Sequence, residues 1–481
     1  MPKVGMVSLG CPKNLVDSEV MLGILARHGY ELTPRAEDAE VIIVNTCSFI
    51  EPAKRESIET ILEMAEYKKQ GTARRLVVAG CLVERYRQDL LKEIPEVDFV
   101  LGTNELERVL EACEGTGERR MADHPFDPYL YTDYTPRLLA TPRYSAYIKI
   151  AEGCDHPCSF CVIPQMRGRF RSRRFESVVR EAEKLVHAGT HELTLVGQDT
   201  TSYGEDLGMR HGLAALLRQV ARIPDLVWLR FLYVYPNRIS DELIETVASE
   251  PKICKYLDMP LQHASAPVLK RMRRGSHGGQ FLKMLERIRL AIPGVTLRTT
   301  MIVGFPGETE ADFAALLEFV EAAQFNHLGV FLYSNEETSG AWQLPDQVPA
   351  AVARKRQRRL MAAQRRISRR GLRRRVGSLF PVLVEGRSEE TDLLFRGRLE
   401  SQAPEIDGHI LINDFAGMEP RPGEFRWATI TASSDYDLVA TLGAEHFVGP
   451  APACPTRPAP SLVQIRSQVN CQSRAASSQS L

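Results

Sequence analysis

The sequence Ile150-Ala151-Glu152-Gly153-Cys154-Asp155-His156-Pro157-Cys158-Ser159-Phe160-Cys161 contains three cysteines in the spacing CxxxCxxC. The apolar alternation of Tyr147–Ile150 just before it predicts a strand, so the cysteines lie in the loop that leaves this strand. Three thiolates in so short a loop reach one small metal centre. A cubane iron–sulfur cluster is normally held by four thiolates, so a loop that offers three leaves one iron open to a ligand from outside the protein.

Other kinds of site use cysteines in other spacings. A structural zinc site prefers paired CxxC motifs and four ligands, of which His156 would be the fourth here. A disulfide is disfavoured because the sequence shows no secretory signal and a reducing compartment is expected. Bacterial ferredoxins space their cysteines CxxCxxC. The CxxxCxxC loop after a strand resembles instead the cluster loop of radical SAM enzymes, whose open iron chelates the amino and carboxylate groups of S-adenosylmethionine (SAM).

The composition is that of an ordinary soluble protein, since 44% of the 481 residues are apolar and 25% are charged. This length allows two to four domains, and a formal net charge of zero indicates no partner by itself. No run approaches the ~18 apolar residues of a membrane span, and Met1–Val7 lacks a signal-peptide pattern. We therefore expect a cytoplasmic protein, in which ten cysteines indicate metal binding more than disulfides.

Three apolar runs near the N-terminus each end in a cysteine: Val4–Gly10 before Cys11, Val41–Thr46 before Cys47, and Leu76–Gly80 before Cys81. Helical patterns separate the runs, and this alternation predicts a doubly wound parallel sheet. Sites in such sheets form outside the carboxyl ends of the strands, so the three cysteines are expected at one edge. The alternative is small buried cysteines that only fill space, as we expect for Cys113.

The stretch Ser8–Glu19, SLGCPKNLVDSE, resembles the opening of the methylthiotransferases, a branch of the radical SAM enzymes. Its GCPKN form resembles the RimO type, which modifies an aspartate of small-subunit ribosomal protein twelve. The tRNA-modifying branch usually has Gln-Met or similar in place of Pro12-Lys13. The resemblance implies an N-terminal methylthiotransferase domain over residues 1–122. It also implies a second 4Fe-4S cluster, bound by Cys11, Cys47 and Cys81.

Prolines mark residues 123–143 as a linker, and residues 144–350 then alternate between strand and helix patterns. The strand-like runs are Tyr147–Ala151, Glu192–Val196, Trp228–Tyr233, Tyr256–Leu261, Leu297–Val303 and His327–Tyr333. Six βα units predict a partial (β/α)6 barrel, whose active site lies at the carboxyl ends of the strands. The cysteine loop follows the first strand and so falls on this face.

Candidate SAM-binding residues on the same face are Gln198 after the second strand and Gly304, Gly307 and Glu308 after the fifth. On its residues alone, the loop after the fifth strand is as readily an ordinary βα turn, with Thr309 placed to cap the next helix. The resemblance to radical SAM enzymes implies that these residues contribute to the SAM pocket. It also implies that Phe160 lies near the adenine of SAM.

Residues 351–377 predict a basic amphipathic helix. Between 354 and 375, twelve Lys and Arg occur without one acidic residue, while Leu360, Met361 and Ile367 keep an apolar stripe. Such a helix is either a solvated face or a binding site for an anion such as a phosphate backbone. We expect it to contact ribosomal RNA.

Residues 378–445 predict a small antiparallel barrel of short strands, which resembles the TRAM domain of the same family. Between 380 and 443, twelve Asp and Glu stand against five Lys and Arg. An acidic barrel suits a basic ribosomal protein better than an RNA, unless the acidity only keeps the domain soluble. Residues 446–481, with Cys454 and Cys471, predict a disordered tail.

The family resemblance implies an α/β enzyme that uses SAM and two 4Fe-4S clusters. The cluster at Cys154, Cys158 and Cys161 would cleave SAM to a 5′-deoxyadenosyl radical, which takes hydrogen from the β-carbon of the target aspartate. A radical is needed because no protein base ionises an unactivated alkyl C–H bond. The N-terminal cluster would carry the sulfur, which a second SAM methylates. An electron donor and a sulfur source are the further partners.

Two other functions remain open at this point. One is a tRNA methylthiotransferase that acts on the modified adenosine beside the anticodon and would share every cluster residue. The other is a non-catalytic RNA-binding protein that uses the basic helix and the barrel and holds structural metals.

Overall fold

The structure, a computed structural model, describes residues 2–71, 73–115 and 129–447. Residues 123–128 of the predicted linker lie outside the described residues. So does nearly all of the tail predicted at 446–481, including Cys454 and Cys471. Within the described ranges, no helix has the length and apolar character needed to cross a membrane.

The N-terminal part is a parallel sheet with helices on both faces, as the alternation predicts. Its strands are β1 (Lys3–Ser8), β2 (Glu31–Leu32), β3 (Val41–Thr46), β4 (Arg75–Gly80) and β5 (Phe99–Leu101), in the order β2-β1-β3-β4-β5. Its helices are α1 (Pro12–Arg27), α2 (Glu51–Lys69), α3 (Cys81–Glu93) and α4 (Val109–Glu114). The edge strands β2 and β5 were not predicted, because two or three residues are too few to show a pattern.

The central part is an arc of parallel strands covered by helices on its outer side, which confirms the partial (β/α)6 barrel. Its parallel strands are β6 (Ser145–Lys149), β9 (Glu192–Val196), β10 (Trp228–Phe231), β11 (Tyr256–Asp258), β12 (Thr296–Val303) and β13 (His327–Leu332), while the short β7 (Ala151–Glu152) and β8 (Arg171–Ser172) form a separate antiparallel pair. Its helices are α5 (Ile163–Arg167), α6 (Phe175–His187), α7 (Gly212–Ala221), α8 (Asp241–Ser249), α9 (Ala266–Arg271), α10 (Gly278–Ala291) and α11 (Glu310–Ala323).

The arc consists of two hydrogen-bonded ladders, β6-β9-β10 and β11-β12-β13. They meet at Leu229, whose N–H donates to Lys252 O at 2.8 Å and whose carbonyl accepts from Cys254 N at 2.9 Å. Ile148 and Leu195 on the outer face are fully buried in the apolar core shared with the helices. Each such side chain stabilises the fold by about 1.5–3 kcal/mol. Short 3-10 helices in the described residues are Ala36–Asp38, Leu106–Arg108, Glu205–Leu207 and Pro236–Arg238.

The basic helix α12 (Ala350–Arg373) lies against β13 and α11. Its apolar stripe is buried, with Leu360 fully enclosed and Ile367 nearly so. Gln364 Nε2 donates to Phe325 O at 2.9 Å, which fixes the helix along its length. The arginine-rich face therefore points outward.

The C-terminal part is a closed five-stranded barrel, as predicted. Its strands are β14 (Leu379–Arg387), β15 (Phe395–Arg398), β16 (Ile410–Phe415), β17 (Phe425–Ser433) and β18 (Leu438–His446), in the order β14-β15-β16-β18-β17. All neighbours are antiparallel except β16 and β18, which run parallel. Val382, Ile410 and Ile430 are among the side chains that fill its interior.

Buried charges join the barrel to the central part. Glu192, the first residue of β9, accepts hydrogen bonds from Arg398 Nη2 at 2.6 Å and from Ser145 Oγ at 2.9 Å. Arg230 Nη2 lies 3.4 Å from the same carboxylate. Nearby, Tyr256 Oη donates to Asp407 Oδ2 at 2.6 Å. These contacts lie at the amino ends of the central strands, so the barrel docks at the end opposite the cysteine loop.

We predict that Arg398→Ala lowers the free energy of unfolding by about 3–5 kcal/mol, because it leaves Glu192 and Glu385 buried without their main cation. Chemical denaturation measures this change. The control is Arg387→Ala in the same barrel, where a half-exposed pair with Glu419 is worth less than about 1 kcal/mol. Equal losses in the two variants would contradict the prediction.

The pair of Glu192 and Arg398 also makes the stability of the fold depend on pH. Burial by itself raises the pKa of Glu192, but Arg398 and Arg230 outweigh it and hold the pKa at about 2. A carboxylate with a depressed folded pKa stabilises the fold above its ordinary pKa of 4.5 and loses that contribution as the pH falls toward 2. The stability gap between the wild type and Arg398→Ala is therefore expected to narrow across this window.

Candidate functional site

The three N-terminal cysteines lie at one edge of the N-terminal sheet. Cys47 and Cys81 directly follow β3 and β4, and Cys11 lies just beyond Leu9 and Gly10 at the end of β1; these three strands are adjacent. Gly10 has a φ of +89°, and a Cβ there would stand 3.1 Å from Cys47 Sγ and 2.7 Å from its Cβ. Only glycine allows this approach, which brings the start of α1 against the loop after β3.

The electrostatics of these thiols reflect their closeness. Burial, then the thiols of Cys81 and Cys11, raise the pKa of Cys47 to about 12. Burial raises the pKa of Cys81 to about 11, against the opposing effect of Arg167. Burial also opposes ionisation of Cys11, but Lys13 and Arg167 outweigh it and lower its pKa. The three thiols form one interacting group, here called the N-terminal trio.

Asn14 ties this edge together. Its Nδ2 donates to Leu9 O and Thr46 O, each at 2.9 Å, and so joins the ends of β1 and β3. Its Oδ1 lies 3.9 Å from Cys81 Sγ, and Arg167 donates to the same oxygen. One amide thus contacts both the N-terminal trio and a residue of the central part.

The cysteines of the CxxxCxxC loop, here called the central trio, lie in a loop closed by the β7–β8 hairpin. Cys154 N donates to Gly168 O at 3.2 Å, and Cys161 N donates to Cys158 O at 3.2 Å. Burial, and to a lesser extent the thiols of Cys158 and Cys154, raise the pKa of Cys161 to about 12. Burial likewise raises the pKa of Cys154 to about 11. These thiols also interact with one another.

His156 makes other contacts than a fourth metal ligand would. Its ring stacks on Tyr235 with the centroids 3.6 Å apart, and its Nε2 lies 2.6 Å from Asp199 Oδ2. In the described part of the chain, no three His, Cys, Asp or Glu side chains are arranged to hold a single metal ion. A four-iron cluster binds each thiolate through a different iron, so two groups of interacting thiols suit it better than a single zinc.

Four buried charges join the two halves of the site. Lys149 and Arg167 of the central part both contact Asp17 of α1, Arg167 at 2.6 Å. The same two cations contact Glu152, Lys149 at 2.5 Å and Arg167 at 3.2 Å. Burial by itself raises the pKa of Glu152, but Lys149 and Arg167 hold it at about 2. The four side chains, here called the interdomain quartet, are balanced in charge and each at most 3% exposed as residues.

Two further contacts place the trios beside each other. Cys81 packs with Val162 and Met166, which follow Cys161 in the chain. Ser48 Oγ, next to Cys47, lies 3.2 Å from Met166 Sδ. The N-terminal trio therefore faces the end of the cysteine loop.

The predicted SAM residues fall into two groups. Gln198 donates from Nε2 to Glu152 Oε1 at 2.7 Å, while its own Oε1 is buried and has no hydrogen-bond partner among the described residues. Phe160 lies partly buried against the central core, beside the central trio. An unpartnered buried carbonyl next to the interdomain quartet is an acceptor suited to a polar ligand.

The loop after β12 is taken up by packing against α12. A Cβ on Gly304 would stand 2.6 Å from Ala353 Cβ, so this glycine permits the close approach of the helix. Glu308 is buried, accepts from Gly304 N and lies 3.3 Å from Arg356 Nη1. Gly307 O accepts from Arg271 Nη2 at 2.8 Å. Thr309 caps α11 as expected.

Several residues of the site escaped the sequence-based prediction, namely Asn14, Asp17, Lys149, Glu152 and Arg167. A signal for two of them was present. Lys149 interrupts the apolar strand before the cysteines, and Asp17 lies within the most buried stretch of α1. A charge inside an apolar pattern indicates a buried partner, which the sequence does not name. Cys113 and Cys254 are both buried in the core, away from either trio.

The donor set fits iron–sulfur clusters. Each trio offers three thiols that interact with one another, which is one fewer than a cubane cluster normally takes. Arg274 Nη1 lies 3.6 Å from Cys158 Sγ, so a cation faces this sulfur. Lys13 and Arg167 lower the pKa of Cys11 and so favour the thiolate, which is the form that binds metal.

We predict that Cys11 of the metal-free protein is alkylated before Cys47 and Cys81 near neutral pH. The thiolate is the nucleophile, and Cys11 combines a lowered pKa with partial exposure. A time course with iodoacetamide, read by peptide mass mapping, measures the order. Cys113 is the control, because burial raises its pKa to about 12. Labelling of Cys47 or Cys81 before Cys11 would contradict the prediction from the lowered pKa of Cys11.

Comparison with family models divides the chain into three matches. Residues 3–102 match the uncharacterized protein family UPF0004, residues 148–320 the radical SAM superfamily, and residues 376–442 the TRAM domain. Among solved structures, the radical S-adenosylmethionine methyltransferase TsrM from Kitasatospora setae is similar, with a TM-score of 0.52 and 16% identity. That match covers 69% of this chain and 75% of the other, and it indicates a shared fold.

Curated relatives extend over nearly the whole chain. Ribosomal protein uS12 methylthiotransferase RimO from Solibacter usitatus is 59% identical over 97% of this chain and 99% of its own length. The protein of the same name from Koribacter versatilis is 54% identical over 92% of this chain and 96% of its own length. The chain therefore belongs to the RimO family of methylthiotransferases, enzymes of the radical SAM superfamily that use SAM and 4Fe-4S clusters.

Proposed function

We propose that the chain adds a methylthio group to the β-carbon of an aspartate in ribosomal protein uS12. The observation that carries this proposal is the pairing of two thiol trios at one seam, in a chain similar to uS12 methylthiotransferases over almost its full length. Sulfur insertion needs a site that activates carbon and a site that supplies sulfur. Two metal centres side by side meet that need.

The six cysteines divide between the two clusters. Cys154, Cys158 and Cys161 would hold the cluster that binds SAM, and Cys11, Cys47 and Cys81 would hold the second. When bound and reduced, the first cluster with SAM supplies radical chemistry that breaks an unactivated C–H bond. Gln198 would accept a hydrogen bond from SAM at its free Oε1, and Phe160 would contact the apolar side of SAM. The turn from Gly304 through Gly307 to Glu308 would shape the pocket wall. Gly307 O and Glu308 Oε2 already have protein partners, whereas Glu308 Oε1 is buried without a hydrogen bond among the described residues.

Contacts between side chains of this protein hold the two trios and the cysteine loop in position. The interdomain quartet fixes α1, which follows Cys11, against the strand that leads into the cysteine loop. Tyr235 and Asp199 hold His156 and so set the course of the loop between Cys154 and Cys158. Ser159 Oγ donates to Arg271 O at 2.7 Å and fastens the loop's other half to α9. These contacts restrain the cysteine loop, whose thiols are partly exposed, in one position relative to α9 and the central strands.

We predict that replacing the central trio abolishes SAM cleavage, whereas replacing the N-terminal trio does not. Replacing Cys154, Cys158 and Cys161 by Ala removes about half of the iron and abolishes SAM cleavage, because the cluster that chelates SAM needs its three thiolates. Replacing Cys11, Cys47 and Cys81 by Ala also removes about half of the iron but leaves SAM cleavage in place. Iron analysis and 5′-deoxyadenosine formation measure the two effects.

Cys113→Ala and Cys254→Ala are matched controls, because both cysteines are buried but belong to neither trio. SAM cleavage by the Cys154/Cys158/Cys161 variant, or full iron content in the Cys11/Cys47/Cys81 variant, would contradict the assignment of the trios.

The barrel is the proposed contact for the target protein, but much of its acidity is already used. Glu385 and Asp407 pair with arginines across or near the interface with the central part. Asp435 contacts Arg369 of α12 at 2.8 Å. The excess of acidic residues in the sequence therefore overstates the negative charge that a partner meets, and it is weak support for a protein over an RNA partner.

The exposed face of α12 is the proposed contact for ribosomal RNA. Arg354, Arg358, Arg370 and Arg373 form no ion pair within the described ranges, while Arg359 and Arg366 pair with glutamates of α11. A cavity of about 160 Å³ lies where α12 meets the barrel and β13, lined by Arg370, Arg374 and Arg375 among others. Arg375 is largely buried there and donates to Ser401 Oγ at 2.7 Å. Unpaired arginines around a cavity suit a phosphate group.

We predict that Arg370→Gln combined with Arg374→Gln weakens binding to the small ribosomal subunit and flattens its salt dependence. Removing one arginine–phosphate pair changes the slope of log affinity against log salt by about 0.7–0.9. Binding titrations at several salt concentrations measure the slope. The control is Arg366→Gln, whose guanidinium is paired with Glu321, and an equal change of slope in the control would contradict the prediction.

The proposed function itself is tested by offering the reconstituted enzyme purified small ribosomal subunits and tRNA side by side. Mass spectrometry should find the added methylthio group on uS12 and none on tRNA. Modification of the adenosine beside the anticodon, with uS12 unchanged, would assign the chain to the tRNA branch instead. We propose that the reaction occurs in the cytoplasm, where an electron donor reduces the enzyme and a sulfur source supplies the sulfur. In this proposal the domain expected at 1–122 holds the second cluster, the domain at 144–350 holds the cluster that binds SAM, and the domain at 378–445 contacts the target.

A further inference from the structure

Lys13 is a buried ammonium without a carboxylate partner in the part of the chain that the structure describes. The residue is 8% exposed and follows Pro12 at the start of α1, two positions after Cys11. Its Nζ lies 3.3 Å from the centroid of the Tyr233 ring. An aromatic face attracts a cation but does not neutralise it. No carboxylate among the described residues compensates the buried charge, and the acidic groups that face it are the phenol of Tyr233 and the thiol of Cys11.

Several other cations near the two trios already have partners. Lys149 and Arg167 share Asp17 and Glu152 within the interdomain quartet. Arg173 contacts Glu181 at 2.5 Å. Arg274 donates to Pro260 O and faces the sulfur of Cys158 in the central trio. Lys13, in contrast, has no carboxylate opposite it among the described residues.

Tyr233 holds Lys13 toward the seam between the trios. Tyr233 has a φ of +64°, a left-handed conformation that is strained for a residue with a side chain. Its N–H donates to Asp258 Oδ2 at 3.2 Å, and its carbonyl accepts from Thr200 N at 3.1 Å. Tyr235, two residues on, stacks on His156 of the cysteine loop. The segment that carries Lys13's aromatic partner therefore also contacts the loop of the central trio.

The chemistry of the target brings an anion to this place. In an aspartate side chain, the carboxylate is bonded directly to the β-carbon, at a single-bond distance of about 1.5 Å. A β-carbon that reacts between the two trios therefore brings its carboxylate into the same buried space. A carboxylate removed from water is stabilised only by a cation or by several hydrogen-bond donors.

We propose that Lys13 binds the side-chain carboxylate of the target aspartate and so makes the site specific for a carboxylate-bearing substrate. This inference rests on the proposed function. It assigns Lys13 a role in recognising the substrate, distinct from holding the second cluster. A methylthiotransferase for a base without a carboxylate has no use for this ammonium.

The test compares uS12 carrying Asp at the target position with uS12 carrying Asn there. The reconstituted enzyme is used as wild type, Lys13→Met and Lys13→Arg, and the readouts are the Kd for each uS12 form and the iron content. The wild type should bind the Asp form at least about 10-fold more tightly, since a hydrogen bond to a charged group is worth about 1.5–3 kcal/mol. Lys13→Met should bind both forms alike with full iron content. Lys13→Arg should keep part of the preference.

Lys69→Met is the matched control, because Lys69 is exposed and pairs with Glu66 and Glu96 on the same domain. It should keep the wild-type preference. A preference retained in Lys13→Met, or a loss of iron in that variant, would overturn the inference while leaving the proposed function intact. Wild-type enzyme that leaves uS12 unmodified would overturn both.

Discussion

The buried contact between Asp17 of α1 and the cations Lys149 and Arg167 is the constraint on which the site depends. The cysteines of the two trios come from different domains, which share an apolar cluster that includes Val16 of α1 and Tyr147 of β6. Buried ion pairs are poor sources of net stability, because desolvation offsets most of the attraction. Their geometry is nevertheless demanding, since a small displacement leaves charges without partners. The quartet therefore acts as an alignment device more than as a source of cohesion.

The interdomain quartet and the barrel interface apply the same physics at opposite ends of the central strands. Asp17 and Glu152 are satisfied at the carboxyl end, and Glu192 is satisfied by Arg398 at the amino end. Both ends use a carboxylate with a strongly depressed pKa and more than one cation. The central arc is thus held at both ends by contacts that tolerate little sliding, and apolar side chains fill the space between them.

Local patterns predict much of this molecule, and long-range partners account for what they miss. The three cysteine-terminated strands and the CxxxCxxC loop place all six thiols, because strand direction and loop length are local properties. The edge strands of the first sheet escape because they are too short. The interdomain quartet escapes because Lys149 and Asp17 are 132 positions apart, and the sequence does not say which buried charge meets which. Glu308 shows the opposite error. Its place in the loop after β12 predicts a ligand contact, but in the structure its carboxylate pairs with Arg356 of α12.

The segment that joins the first two domains limits how a substrate can reach the site. Arg137 donates to Glu19 of α1 at 3.0 Å and also contacts Glu181 of α6, and the residue is tucked against Gly23. The described part of this connection is therefore bonded to both the N-terminal and the central domain, so it does not act as a hinge about which the two domains rotate apart. A substrate must therefore reach the two trios without a rotation of the domains about this segment.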